Sequence, residues 1–324
     1  MASAYEQRVL ARWSGWGALP QVFDDADQRF AAERDELRRL LDDDAWQAAR
    51  RTTLNAHYTD ASVVTPVWDA VAALGFDGGT VLEPGCGSGN FIGFAPPTAK
   101  VTGVELDPTS ARIATHLYGR AAAIHAVPFE AFEPPEDFDL VVGNVPFADV
   151  VPHDPRRNRA RHRLHNYFLI KSLQLTRPGG VVAALTSRYT LDARNPAARR
   201  EMSALADLIG AVRLPAGTFA AAAGTDVVAD VLLLRRRHAD APPLGPPWTT
   251  TVPLDGHPTD TVWCNEYFVA NPHLVAGRLS VGRGMYRERE LTVDADGDVG
   301  SALDAALRVV IEKGVSCRFR GSRR

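Results

Sequence analysis

Lysine is almost missing from this chain. Of its 36 basic residues only Lys100, Lys171 and Lys313 are lysines, a skew that reads as GC-rich coding and carries no functional message. Cysteine is as scarce: Cys86, Cys264 and Cys317 lie far apart, and none has a Cys or His at ligand spacing. That excludes a disulfide scaffold and a structural zinc site, fits a reducing compartment, and leaves no metal expected. No apolar run approaches the ~20 residues of a membrane span, and Met1 to Gln7 lack a basic stretch leading into an apolar one. The chain is therefore expected in the cytoplasm, with no membrane partner. Neither sign of charge dominates: a net charge of -3 excludes a globally basic nucleic-acid coat and leaves room for a local basic patch.

What is present is ordinary globular material: 324 residues, 45% hydrophobic and 23% charged, enough for one large domain or two and too apolar for wholesale disorder. Phe30, Leu37, Leu40 and Leu41 recur at a spacing that puts them on one helical face, so residues 1–50 read as a helical docking segment. Ahead of them, Arg12-Trp-Ser-Gly-Trp-Gly-Ala-Leu-Pro20 sets two tryptophans among glycines, which suits a tight turn packing its indole rings structurally against a neighbour. Val63, Val67, Val71 and Leu74 predict a helix that closes at Gly75.

From Gly79 to Leu234 short apolar runs (80–82, 101–104, 122–124, 140–142, 181–185 and 228–234) alternate with helical stretches. This pattern predicts an α/β fold built of βαβ units around a mostly parallel sheet, with helices on both faces. Asp230 disfavours a fully buried last strand and leaves an edge or a hairpin. Pro, Gly and Thr over 241–258 mark a linker. Residues 51–237 are thus expected as the main domain. Residues 238–324 are expected as a linker and small C-terminal segment, with an amphipathic helix over 299–311 and a basic tail that reads as an interruption rather than a finished domain.

Val81-Leu-Glu-Pro-Gly-Cys-Gly-Ser-Gly-Asn-Phe91 is a strand running into a glycine turn that opens a helix. Gly85, Gly87 and Gly89 let backbone approach a ligand that any side chain would obstruct, and Cys86 serves as a small residue among them. The glycines alternate strictly and follow an acid, unlike the dinucleotide pattern. Glu83 beside Pro84 would repel a pyrophosphate and suits a ligand carrying an ammonium or sulfonium cation, such as S-adenosylmethionine. At the end of the next predicted strand, Glu105 can accept both ribose hydroxyls and Leu106 can cover the adenine. A glycine turn with two surface acids is the plainer alternative.

At these residues the sequence resembles class I methyltransferases, and Asn144-Val-Pro-Phe147 narrows the resemblance to the adenine-specific DNA amino-methyltransferases of the gamma type. That family carries Asn/Asp/Ser-Pro-Pro-Tyr/Phe at the end of its fourth strand. His57-Tyr-Thr-Asp60 is similar to the family segment whose Thr, here Thr59, lies near the methionine end of the cofactor. Asn166-Tyr-Phe168 with Arg177-Pro-Gly-Gly180 resembles the helix and turn leading to strand five. Leu214-Pro-Ala-Gly-Thr-Phe219 with Gly224-Thr-Asp226 resembles a later motif that implies Phe219 as a contact on the flipped base. The tryptophan turn and Asn-Val-Pro-Phe look most like methylase modules of large methylase-helicase proteins of phages and mobile elements, a likeness spanning roughly residues 50–237. Two departures stand out: Val145 replaces the first proline, and Pro128-Phe-Glu130 stands where the family has an Asp beside a Phe. Phe129 is carried over as a cofactor contact.

The resemblance implies transfer of the methyl group of S-adenosylmethionine to the exocyclic amine of adenine in DNA, a poor nucleophile whose lone pair is delocalised into the ring. With its two hydrogens held by the Asn144 side-chain carbonyl and the Val145 backbone carbonyl, the nitrogen can pyramidalise, and Pro146 and Phe147 complete the turn, Phe147 stacking on the extruded base. Valine has the same carbonyl as the proline it replaces, so that departure is chemically mild. Arg156, Arg157, Arg159, Arg161 and Arg163 follow directly; they form either a mobile solvated loop or a phosphate-binding edge. Acceptors in ribosomal RNA or protein glutamine, and a non-catalytic DNA-binding module, are the competing readings. A helicase or separate target-recognition subunit is an expected partner.

Overall fold

The computed structural model describes residues 2–17, 19–53, 59–218, 227–255, 257, 260–283 and 288–313. Seven strands form the central sheet: β1 Gly79–Pro84, β2 Ala99–Glu105, β3 Ala122–Ala126, β4 Phe138–Asn144, β5 Thr176–Ser187, β6 Ala206–Leu214 and β7 Ala229–Arg236. Their order is β3-β2-β1-β4-β5-β7-β6. β1, β2, β3, β4 and β5 pair in parallel, and β7 runs antiparallel to both β5 and β6. The sheet is therefore mostly parallel, as expected. Its chain order reverses between β1 and β4, and the crevice outside strand ends at such a reversal is where α/β folds bind ligands.

The helices, in chain order, are α1 Ala4–Leu10, α2 Ala31–Leu40, α3 Asp43–Thr52, α4 Ala61–Ala73, α5 Asn90–Gly93, α6 Pro108–Tyr118, α7 Leu164–Gln174, α8 Tyr189–Asp192, α9 Ala197–Leu205, α10 Glu266–Ala270 and α11 Val299–Lys313. None of them is long and apolar enough to cross a membrane. Asp60 and Asp107 cap α4 and α6 by accepting from the backbone N–H of Ser62 and Ser110. Leu40, expected on the apolar face of α2, is instead 72% exposed, and Phe30, Leu37 and Leu41 pack around Val22, Phe23, Trp46 and Ala49 in a small second core.

The last two strands depart in part from the sequence pattern. β6 was not legible as a strand, because Asp207, Gly210 and Arg213 interrupt its apolar run. β7 lies between β5 and β6 with Asp230 fully buried, so it is not an edge; it pairs antiparallel with β6, the strand before it, which is the hairpin alternative. Arg213 makes this possible, its guanidinium meeting the Asp230 carboxylate at 2.8 Å. Arg177-Pro-Gly-Gly180, read as a turn, belongs to β5. Gly179 there sits at φ 82, and the β4–β5 register shifts between Phe138 and Leu140.

The described residues after 237 contribute to the same core as the sheet. Trp248, Phe268, Leu303, Leu307 and Val310 are all buried in it. α11 lies across α4 and β6, so closely that a Cβ on Gly210 would come within 2.4 Å of Val310.

Candidate active site

The ends of β1, β2 and β4 open into one cleft enclosing about 1040 Å³, its open mouth included. Gly85, Gly87 and Gly89 take φ of 70, 54 and 89, the left-handed region that side chains disfavour. Within the turn, the N–H groups of Gly85 and Cys86 both donate to the Val104 carbonyl, at 2.8 and 3.0 Å, tying the turn to the end of β2. A Cβ on Gly103 would lie 2.8 Å from Cys86 Sγ, which explains a small buried side chain at 86.

Glu83 is 3% exposed, and its Oε2 accepts from Ile92 N–H at 3.2 Å. Loss of water pushes its carboxyl well above the usual range. Glu105 accepts from Gly87 N–H at 2.8 Å with one oxygen and from Asp107 N–H at 2.7 Å with the other. Burial pushes it up to about 7 against those two bonds. The acids are thus oriented by the backbone and placed where ionisation is costly.

At the end of β4, Asn144 Nδ2 donates to Thr59 Oγ1 at 3.1 Å, which assigns the NH₂ end of the amide to Thr59. Thr59 is itself held through its carbonyl by Asn90 Nδ2 at 2.8 Å, so the segment ahead of α4, the glycine turn and the strand end form one bonded group. Val145 N–H donates to the Leu185 carbonyl at 3.0 Å and extends the β4–β5 ladder by one residue.

Of the residues expected to bind or react, Thr59, Glu83, Gly85, Cys86, Gly87, Glu105, Leu106, Phe129, Asn144, Val145 and Pro146 line the cleft. Pro84 and Gly89 shape the turn without lining it. Phe147 is half-buried against the main core and is not among the lining residues. His57, Phe219, Gly224 to Asp226 and the basic tail from Cys317 fall outside the described residues. Gly15, Trp16, Asn90, Asp107, Ser110 and Phe168 also line the cleft and were not foreseen.

The cleft wall at Phe129 and Glu130 hangs on Lys171, a fully buried lysine of α7. Its Nζ donates to the two carbonyls at 2.7 and 3.3 Å and lies 3.6 Å from the Asp154 carboxylate. Asp154 in turn accepts from Tyr167 Oη at 2.8 Å and from Arg156 N–H and Arg157 N–H at 3.1 and 2.9 Å. The arginine run, read as mobile without a partner, is thereby tied to the fold at its start. Asn158 braces the rest, donating to the Pro152 and His162 carbonyls and accepting from His162 N–H. None of the five arginines lines the cleft. Arg157 is engaged by Glu133 at 2.6 Å and Arg163 by Asp149 at 3.1 Å, whereas Arg156, Arg159 and Arg161 are exposed and make no ion pair among the described residues. His165 is buried beside Arg163, and desolvation pulls it down to about 4, so it is neutral at pH 7.

Curated proteins that share sequence with this chain include two of viral origin. The chain is 31% identical over 215 residues to Defense against restriction protein B of Escherichia phage P1, a match covering 64% of this chain and 9% of that protein. It is 33% identical over 95 residues to Type II methyltransferase M.CvrRI of Paramecium bursaria Chlorella virus XZ-6E, covering 28% of this chain and 24% of the viral protein. The chain therefore spans a minor part of both relatives. No family model matches it. Among solved structures, a class I S-adenosylmethionine-dependent methyltransferase from Listeria monocytogenes superposes with a TM-score of 0.51 at 14% identity, over 71% of this chain and 81% of that one. The strand order, the antiparallel β7 and this superposition agree: the chain has the class I methyltransferase fold.

Proposed function

We propose that this chain transfers the methyl group of S-adenosylmethionine to the exocyclic amine of adenine in DNA. One observation carries the reading: a single cleft at the reversal of strand order joins Glu83 and Glu105, at the ends of β1 and β2, to Asn144, Val145 and Pro146 after β4. The lining fits the cofactor. Among the described residues neither Glu83, which is buried, nor Glu105, which is half-buried, has a cationic partner, glycines supply a bare backbone, and a further acceptor, Asp107 Oδ1, is buried without a hydrogen-bond partner. Glu83 would hold the cationic amino-acid end, Glu105 the ribose hydroxyls, and Leu106 and Phe129 the adenine. Bound there, the cofactor supplies an electrophilic methyl.

The remaining work falls to this chain's own residues. The Asn144 side-chain carbonyl and the Val145 backbone carbonyl accept the two amino hydrogens of the target and favour the charge growing on its nitrogen. Both carbonyls are fixed beforehand, one by Thr59 and one by the β5 ladder, so little reorganisation is left to the reaction. The names of the phage and viral relatives, a defence against restriction and a type II methyltransferase, support DNA as the acceptor. Incubation with labelled cofactor and, separately, DNA, RNA and protein, followed by nucleoside analysis, tests the reading. Label in N6-methyladenine of DNA supports it; label confined to RNA or to protein glutamine moves the acceptor, and no transfer from a folded, cofactor-binding chain leaves a binding module.

A further inference from the structure

The tryptophan turn ahead of the fold does more than pack. After α1, Gly15 takes φ 74 and brings itself and Trp16 into the wall of the cleft beside Leu106, Asp107 and Ser110. The turn is moored there by a specific bond: Trp13 Nε1 donates to Ser110 Oγ at 3.0 Å. Ser110 Oγ is 2.8 Å from Asp107 Oδ2, and Asp107 N–H donates to the Glu105 carboxylate at 2.7 Å. A run of hydrogen bonds thus leads from the N-terminal segment to an acid of the cleft.

Trp16 is placed by its neighbours as a rigid plate. It meets Trp13 edge-on at 4.7 Å and Phe23 edge-on at 5.5 Å, and Phe23 packs on Trp46 at 4.8 Å in the small second core. That core belongs to residues before 50, outside the βαβ sheet, so one wall of the cleft is supplied by a separate packing unit. Two polar atoms on this wall, Trp16 Nε1 and Asp107 Oδ1, are buried without hydrogen-bond partners among the described residues. Buried polar groups are nearly always paired, so a lone donor and a lone acceptor on residues lining one cleft mark bonds left for a ligand to complete.

We propose that Trp16 is a ligand-contacting residue of the cofactor site, its ring closing the side of the cleft formed by Leu106 and Asp107 over a purine nucleoside, and that Trp13 is its positioning residue through Ser110. The aromatic face offers stacking to a purine and the indole N–H a donor to one of its acceptors. This rests on the reading that the cleft takes S-adenosylmethionine.

The test uses the full chain and S-adenosylhomocysteine, which binds without reacting, followed by calorimetry and tryptophan fluorescence. Wild type should bind with a change in fluorescence. Trp16→Phe keeps an aromatic plate and loses the N–H; it should bind a few-fold weaker and lose most of the fluorescence change. Trp16→Ala should bind about a hundredfold weaker, having lost the stacking face as well. Trp13→Phe should keep the fluorescence change, release ligand faster, and show weaker ligand-induced protection of residues 4–16 from hydrogen exchange. Trp263→Phe, away from the cleft, controls for the signal. Wild-type binding matched by folded Trp16→Ala, or an undiminished fluorescence change in Trp16→Phe, overturns the wall alone. A folded wild type that does not bind the ligand overturns the cofactor reading and the wall with it.

Discussion

On the β1–β2 side of the sheet, buried Glu83 and half-buried Glu105 lie among backbone N–H donors, and the charge of Glu105 makes Glu83 harder still to ionise. On the β5–β7–β6 side, buried acids stand against arginines. Arg213 lies 2.9 Å from Asp192 and 2.8 Å from Asp230, Arg188 lies 2.7 Å from Glu290, and Arg237 lies 2.6 Å from Asp207. Burial works against the charge on Arg213, yet Asp192 and Asp230 outweigh it and push the guanidinium well up. The same residue type has two meanings. An acid compensated inside the chain is part of the fold; an acid left uncompensated in a cleft is costly to ionise until a ligand supplies the missing partner.

The largest effect should come from breaking the compensated set. Arg213→Met leaves Asp192 and Asp230 buried without their shared cation, and should cost about 3 to 5 kcal/mol in urea unfolding. Glu83→Gln, by contrast, should leave unfolding within about 1 kcal/mol of wild type, because burial already works against the carboxylate's charge and glutamine keeps an acceptor for Ile92 N–H. An Arg213 variant as stable as the parent would erase the contrast.

Next in size is Asn144→Ala. Removing the acceptor should slow methyl transfer on the order of a hundredfold or more in single turnover, while cofactor affinity stays nearly unchanged. Loss of the bond to Thr59 should cost the fold about 1 kcal/mol. Equal transfer by both proteins would detach Asn144 from the chemistry.

A smaller effect follows from Glu105, raised from an ordinary carboxylate to about 7. Between the unfolded and folded values the native chain holds the extra proton, so stability without ligand should fall as pH rises from about 4.5 through about 7 and then level off. Ribose hydroxyls accepted by the carboxylate favour its charged form, so cofactor binding near pH 6.5 should release a proton. Calorimetry in two buffers of different ionisation enthalpy reads this directly; identical heats would deny it.

The parts of the site legible in the sequence were those written in contiguous stretches. Glu83 to Gly89 and Asn144 to Phe147 each occupy a strand end and its turn; glycine spacing exposes the first, the resemblance to a family motif the second, and Glu105 follows at the next strand end. What stayed hidden depends on pairing across long separations. Trp13 and Ser110 are 97 positions apart, and Lys171 reaches Phe129 over 42. β6 escaped for the same reason, since Asp207 and Arg213 look like solvent residues until Arg237 and Asp230 are set beside them. Leu40 failed in the opposite sense: helical spacing is satisfied by residues at the edge of a stripe that the neighbouring core does not reach.

The smallest effects should separate partnered from unpartnered charge within the arginine run itself. Arg157 is held by two bonds to Glu133 and closes the loop onto the fold, so its charge is already answered. Arg156, Arg159 and Arg161, in the segment that follows the Asn144 turn along the chain, are exposed without ion pairs among the described residues. Phosphate contacts of this kind release counterions and carry no sequence information. Alanine at 156, 159 or 161 should therefore lower the slope of log affinity against log salt for a short duplex by about one unit each, equally for any sequence. Alanine at 157 should leave that slope nearly unchanged and lower stability slightly instead. Fluorescence anisotropy across a salt series decides between them: equal slopes for all four variants would make the run a solvated loop, and a loss confined to one sequence would make it a reader of bases.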